Sequence, residues 1–114
     1  MVGSSVHNAL TRYGCENIVV RRSSQLDLRR QSQVDDFFEE EMPQLVILCA
    51  AKVGGIHANN TYKADFIYDN LSIAVNTIEA ARKFGVETLV NLGSSCIYPK
   101  EALQPIREEY LLSG

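Results

Sequence analysis

The sequence contains no tryptophan, only three prolines and no long apolar run. Its longest uninterrupted apolar stretch is residues 45–51, far shorter than the roughly 20 residues that a membrane-spanning helix needs. Residues 1–5 lack the basic start and apolar stretch of a secretory signal. These absences predict a chain without a membrane partner.

Cysteine is also scarce, since the chain has only Cys15, Cys49 and Cys96. They form neither a CxxC pair nor a spacing typical of metal ligands, and His7 and His57 have no partner at ligand spacing, so no metal site is predicted. An odd number of cysteines without a secretory signal favours free thiols in a reducing, cytoplasmic setting.

Positive charge is not concentrated in any segment of the chain, and the acidic run at residues 39–41 is most simply a solvated helix end. The 11 Lys and Arg residues are outnumbered by 14 Asp and Glu, for a net charge of -3, and they form no basic stripe. Nucleic acid is therefore not a predicted partner. The hydrophobic fraction of 46% and the charged fraction of 22% are ordinary for a globular domain, which excludes a disordered or fibrous class.

What the sequence does contain is an alternation of helix-like and strand-like segments. Apolar spacing predicts helices over residues 2–13, 31–41 and 63–84, and short apolar runs predict strands over residues 17–22, 45–50 and 88–92. The middle strand is apolar at every position, as is typical of a parallel sheet covered on both faces. The order predicts an α/β fold with a doubly wound parallel sheet of the Rossmann type.

The chain begins with a helix, whereas nucleotide-binding sheets of this class begin with a strand and a glycine-rich turn. Gly3 then corresponds to the last glycine of such a turn. The predicted sheet is accordingly partial, without its first strand and its C-terminal half. The alternative is that Gly3 is a glycine tolerated in a frayed first turn.

Residues 92–99 follow the last predicted strand directly, at the edge where open α/β sheets bind ligands. Ser94 and Ser95 carry hydroxyls that can donate hydrogen bonds to a carbonyl or phosphate oxygen. Cys96 carries a thiol whose pKa is easily tuned for proton transfer. The alternative interpretation is a polar turn with a half-buried cysteine.

Two other loops carry candidate cofactor contacts. NAD-binding sheets place an acid after the second strand, but here that place holds two arginines and a serine, which suit the 2′-phosphate of NADP: Arg21, Arg22 and Ser23. The alternative is an exposed basic strand end. Asp27 and Leu28 then line the adenine side, and Ala50 and Ala51 are small enough to let a cofactor approach the backbone.

Two asparagines, Asn70 and Asn76, interrupt the apolar pattern of the long predicted helix. They either bridge backbone groups or face solvent.

Four strings of residues together resemble the GDP-L-fucose synthase family of the extended short-chain dehydrogenase/reductase superfamily. They are AKVGGI at 51–56, NNTY at 59–62, DFIY at 65–68 and GSSCIYPK at 93–100. The resemblance, which runs nearly end to end, implies NADPH-dependent 3,5-epimerisation and 4-reduction of GDP-4-keto-6-deoxy-D-mannose. It also implies NADP as cofactor, a GDP-sugar substrate and a homodimeric parent enzyme.

The resemblance also implies roles for particular residues. Gly3 would be the third glycine of the dinucleotide turn, residues 23–28 would lie along the adenosine, and residues 92–95 would pass beside the cofactor. Ser94 would hydrogen-bond the 4-keto oxygen. Cys96 would be one of two acid/base groups that exchange protons at C3 and C5.

Some parts of the family pattern are missing from the sequence. No tyrosine is followed by lysine four residues on, so the catalytic Tyr-x-x-x-Lys pair is absent. Residues 1–114 then form a partial NADP-binding domain without a substrate-binding domain, expected to be inactive and marginally stable alone. The alternatives are another NAD(P)-dependent nucleotide-sugar epimerase or dehydratase, and a truncated non-catalytic nucleotide-binding module.

The partial sheet carries its own expectation for strand pairing. The strand at Val46 pairs with the strand at Leu89, and the strand at Val19 lies one empty strand position away, about 9.6 Å, or collapses into a non-native pairing.

Overall fold

The computed structural model describes all 114 residues as an alternation of helices and two strands. The elements in chain order are α1 (Val2–Arg12), α2 (Gln31–Glu41), β1 (Leu45–Leu48), α3 (Ile56–Thr61), α4 (Lys63–Lys83) and β2 (Thr88–Asn91). Short 3-10 turns follow at Ser95–Ile97 and Glu108–Tyr110. The predicted α/β class is confirmed, and the three predicted helices are correct to within one residue at their ends. None of the helices is both long and apolar enough to cross a bilayer.

The sheet consists of β1 and β2, which pair in parallel. The predicted pairing of these two strands is confirmed, and Val46 stands opposite Leu89. Parallel neighbours need a crossover, and α3 with α4 supplies it. α3 lies between the predicted strand at 45–50 and the predicted helix at 63–84, where the sequence predicted no element.

The predicted strand at residues 17–22 does not form. The amides of residues 16–21 donate no backbone hydrogen bond, and Val19 and Val20 are 45% and 61% exposed. A strand is defined by its ladder to a neighbour, and no other segment forms backbone hydrogen bonds with this one. The predicted strand is therefore wrong, whereas the expected distance of one strand position between Val19 and β1 stays a prediction.

The glycines that follow two helices adopt the left-handed conformation that ends a helix. Gly14 has φ 84° after α1, and Gly85 has φ 70° after α4. A residue with a Cβ is strained there, so both positions select glycine.

The core lies between α2, α4 and one face of the sheet. Its buried side chains are Val34 and Phe38 of α2 with Ala80 and Ala81 of α4. Val46 and Leu89 pack against this cluster from the strands, with Leu28, Phe37, Phe84 and Val86 around it. The two alanines let α2 approach α4 closely, which fixes α4 against the sheet.

The opposite face of the sheet is covered less completely. Side chains alternate along a strand, so Cys49 points away from the face that Val46 presents to the core. A Cβ at Gly3 would lie 3.7 Å from the Cβ of Cys49, so α1 begins on that second face. Val90 on the same face remains 40% exposed.

The chain exposes more surface than a self-contained protein of its size. Its accessible area is 9070 Å², whereas a complete monomer of this mass exposes about 6,200 Å². Its radius of gyration is 16.1 Å, against about 13 Å for a compact domain of this length. Much of the excess is apolar, which costs free energy in water.

The first prediction concerns the stability of the 114-residue chain. Because the core is small and the exposed apolar surface is large, we expect a broad thermal transition and strong binding of the dye ANS before unfolding. Circular dichroism and dye fluorescence measure the two effects. A sharp cooperative transition without dye binding contradicts this expectation.

The second prediction concerns the two glycines after β1. A Cβ at Gly54 would lie 2.9 Å from the ring of Phe66 and 3.2 Å from Ala58, whereas one at Gly55 meets nothing within 4 Å. Gly54→Ala should lower the free energy of unfolding by about 1–3 kcal/mol through overpacking. Gly55→Ala is the matched control, and urea titration compares them. Equal effects of the two substitutions contradict the packing seen here.

Candidate functional site

The carboxyl ends of β1 and β2 lie side by side because the strands are parallel. Past these ends, the Leu92 amide still donates to the Leu48 carbonyl at 3.5 Å. Ala50 and Ala51 follow β1, and Gly93 follows β2, all exposed. We call this region, residues 49–51 with 92–96, the carboxyl edge.

The start of α1 lies at the carboxyl edge. Gly3 in its first turn adjoins Cys49, and the helix has no side-chain cap and no acidic residue in that turn. The first amides of a helix have no partner within the helix, and the dipole makes that end positive. Such an end suits a phosphate.

Ser94 and Cys96 are linked in the turn after β2. The Ser94 Oγ accepts a hydrogen bond from the Cys96 amide at 3.2 Å, which starts the 3-10 turn Ser95–Ile97. The Ser94 hydroxyl proton remains available to a ligand. The Cys96 thiol is exposed, which corrects the half-buried alternative.

A clamp from α4 holds the loop that follows β1. The Asn70 Oδ1 accepts from the Lys52 amide at 2.7 Å, and the Asn70 Nδ2 donates to the Lys52 carbonyl at 3.0 Å. One side chain thus satisfies both backbone groups of Lys52. Asn76, six residues further along α4, donates a hydrogen bond to the Leu28 carbonyl at 2.9 Å. Of the two alternatives for these asparagines, the backbone-bridging one is confirmed.

Asp69, next to this clamp, is the most buried charged residue, at 8% exposure. Its carboxylate accepts from Lys52 Nζ at 2.7 Å and from Arg29 Nη1 at 3.3 Å. The Lys52 ammonium first, and the Arg29 guanidinium second, hold the pKa of Asp69 below its ordinary value. The Lys52 ammonium also lies 5.4 Å from the centre of the Phe66 ring.

Arg29 binds a second carboxylate, that of Asp27, through Nε at 2.8 Å and Nη2 at 2.9 Å. These bonds and one from the Arg29 amide lower the pKa of Asp27 to about 2. The Asp27 amide donates to Gln33 of α2 at 2.9 Å. Asp27 and Leu28 are therefore fixed to both α2 and α4.

The two arginines at residues 21 and 22 differ in their contacts. The Arg21 guanidinium forms an ion pair with Glu41 of α2 and lies 5.3 Å from the centre of the Phe37 ring. The Arg22 side chain makes no ion pair or hydrogen bond and is exposed, as is Ser23. Arg22 is thus the one with a free guanidinium.

A shallow hollow lies beside the carboxyl edge, between α3, α4 and the end of β2. It is lined by Asn59, Lys63, Phe66, Ile67, Asn70, Leu71, Asn91 and Ile97. Its lining includes Ile97, the residue that follows Cys96.

The structure groups the candidate residues into two sets. Gly3, Ala50, Ala51, Leu92, Gly93, Ser94, Ser95 and Cys96 share the carboxyl edge. Arg21, Arg22, Ser23, Asp27 and Leu28 lie in the segment that leads into α2. The ion pairs of Asp69 were not predicted from the sequence. The one indication of them in the sequence was a charged residue among the half-buried positions of α4.

Comparison with known proteins gives a consistent result over the full length. Residues 1–114 match the NAD dependent epimerase/dehydratase family. The chain is 56% identical to GDP-L-fucose synthase of Sinorhizobium fredii, over all of this chain and 36% of that protein. It is 55% identical to GDP-L-fucose synthase 1 of Arabidopsis thaliana, over all of this chain and 35% of that protein.

Solved structures agree with the sequence matches. The chain superposes on MlghC, a GDP-mannoheptose C4 reductase from Campylobacter jejuni with NADP bound, with a TM-score of 0.92 and 40% identity. The match covers 98% of this chain and 35% of that one. The chain thus spans about a third of the length of the proteins that it matches. From the match along its whole length, the chain belongs to the NAD dependent epimerase/dehydratase family.

Proposed function

We propose that this chain is the NADP-binding part, residues 1–114, of an enzyme that converts GDP-4-keto-6-deoxy-D-mannose to GDP-L-fucose. The reaction comprises epimerisation at C3 and C5 followed by reduction at C4. The observation that carries the proposal is the carboxyl edge, where a helix start, small residues, a serine hydroxyl and an exposed thiol lie together. Relatives at 55–56% identity that are named GDP-L-fucose synthases support it.

The residues at the edge fit a dinucleotide. The uncapped start of α1 suits the pyrophosphate of the dinucleotide. The small side chains of Ala50 and Ala51 leave space for the dinucleotide to approach the protein backbone. Leu92, Gly93 and Ser95 then lie beside the nicotinamide half, and Asp27 and Leu28 beside the adenine. Arg22 and Ser23, whose side chains are exposed, suit the 2′-phosphate. The neighbouring Arg21 adds positive charge beside them. NADPH supplies a hydride to the sugar C4 when bound.

The roles of Ser94 and Cys96 follow from their chemistry. The Ser94 hydroxyl donates a hydrogen bond to the 4-keto oxygen and so orients the ketone. The Cys96 thiol exchanges protons at C3 and C5, carbons that are acidified by the neighbouring ketone. No tyrosine here precedes a lysine by four residues, so the proton for the C4 oxygen comes from outside these residues, and the chain alone is inactive.

The parent enzyme is proposed to be a homodimer. The outward face of α4 carries apolar residues that no other element covers: Ile67, Leu71, Val75 and Ile78, each 47–62% exposed. Their spacing makes one continuous stripe suited to a second helix.

The three free cysteines support a reducing, cytoplasmic setting.

A second candidate function is C4 reduction of another GDP-sugar without epimerisation. The superposition on MlghC, which is named a GDP-mannoheptose C4 reductase, favours it. The two candidates differ in whether Cys96 exchanges protons with the sugar.

The third prediction concerns cofactor choice in a full-length enzyme carrying these residues. Its specificity constant should be higher for NADPH than for NADH. Arg22→Ala should reduce that preference about tenfold or more, because a charge-assisted hydrogen bond to the phosphate is lost. Arg21→Ala, which removes a guanidinium already paired with Glu41, should reduce it less. Better use of NADH by the unaltered enzyme contradicts the assignment.

The fourth prediction separates the two reactions. Cys96→Ser should suppress incorporation of solvent deuterium at C3 and C5 more than it slows hydride transfer to a ketone that is already epimerised. Ser94→Ala should slow the reduction about a hundredfold, as expected for loss of one donor to a developing oxyanion. Mass spectrometry of the sugar measures the exchange. Unchanged exchange in Cys96→Ser shows that the acid/base assignment is wrong, and no exchange in the unaltered enzyme favours the second candidate.

A further inference from the structure

Two loops that flank the proposed cofactor site are both held by α4. The first, residues 27–30, lies on the proposed adenine side, and the second, residues 50–55, follows β1 at the carboxyl edge. Asn76 holds the first through the Leu28 carbonyl, and Asn70 holds the second through Lys52. These asparagines tie each loop to the helix, but neither joins one loop to the other.

Asp69 makes the link between the loops. Its Oδ1 accepts from Arg29 of the first loop, and its Oδ2 accepts from Lys52 of the second. Arg29 also holds Asp27 through two further bonds. The result is a continuous chain of charges, Asp27–Arg29–Asp69–Lys52, from the adenine side to the end of β1.

The link joins a nearly buried carboxylate to two more exposed cations. The Asp69 side chain is 11% exposed, whereas those of Arg29 and Lys52 are 47% and 40% exposed. Removing its charge would leave two cations facing each other across a neutral group. Like charges repel, so the two loops would separate or lose order.

We propose that Asp69 is a positioning residue that joins the two loops and so prepares the site for the adenosine half of the cofactor. The inference rests on the proposed function, since that places the adenine beside the first loop and the second loop next to the cofactor. A ligand that must order flexible loops when it binds has a lower affinity, because ordering them costs free energy. Asp69 holds the two loops in place before the cofactor binds, without touching the cofactor.

The experiment uses a full-length enzyme carrying these residues and its Asp69→Asn variant, which keeps the shape of the side chain and removes the charge. Glu79→Gln is the matched control, because Glu79 is a carboxylate on the same helix whose pair, Arg82, is on the surface. Affinity for NADPH is measured by cofactor fluorescence. We expect Asp69→Asn to weaken binding about tenfold, the effect of losing one charged link, and Glu79→Gln to leave it unchanged.

Two further variants distinguish positioning from loss of folding. Asp69→Glu should restore most of the affinity, because it restores the charge. Lys52→Gln should weaken binding in the native background but add little to Asp69→Asn, because the Lys52 ammonium forms its one ion pair with Asp69 and both changes break that link. In parallel, hydrogen exchange of amides 27–30 and 50–53 should accelerate in Asp69→Asn and not in Glu79→Gln.

The outcomes separate this inference from the proposed function. Equal NADPH affinity of Asp69→Asn and the unaltered enzyme overturns the role of Asp69 alone. Full additivity of Asp69→Asn and Lys52→Gln also overturns it. Failure of the unaltered enzyme to bind NADPH at all contradicts cofactor binding by these residues, and with it the positioning role.

Discussion

The position of α4 is the constraint on which the rest of the structure depends. Its small residues Ala80 and Ala81 let α2 pack closely, with Phe38 filling the space against β1 and β2. α4 is thereby held on one face of the sheet, and its N-terminal half lies alongside the carboxyl edge. The loop after β1 and the loop before α2 are then both reached from this one helix.

Along α4, the polar residues Asp69, Asn70 and Asn76 precede the core residues Ala80 and Ala81. Asn70 and Asp69 reach the loop after β1, and Asp69 and Asn76 reach the loop before α2. Irregular loops have no ladder to satisfy their backbone groups, so side chains must do it. The site therefore gains order from hydrogen bonds and ion pairs, while the apolar core supplies only the placement of the helix.

The sequence predicted the elements whose order is local or whose pattern is strong. Apolar spacing located α2, α4 and both strands, and the pairing of β1 with β2 followed from the parallel fold. The strand predicted at residues 17–22 was wrong, because strand formation depends on a neighbour as well as on apolar residues. The Asp69 ion pairs were not predictable, since they join residues 17 and 40 positions apart in the sequence.

The central claim is that the carboxyl edge of this two-stranded sheet holds NADP. An NMR titration of the ¹⁵N-labelled 114-residue chain with NADP⁺ tests it most directly. The claim predicts saturable shifts of the amides of Gly3, Ala50, Ala51 and residues 93–95, with none at Gly14 and Gly85, which follow the opposite ends of α1 and α4. Absence of saturable shifts, or shifts confined to residues away from that edge, would contradict it.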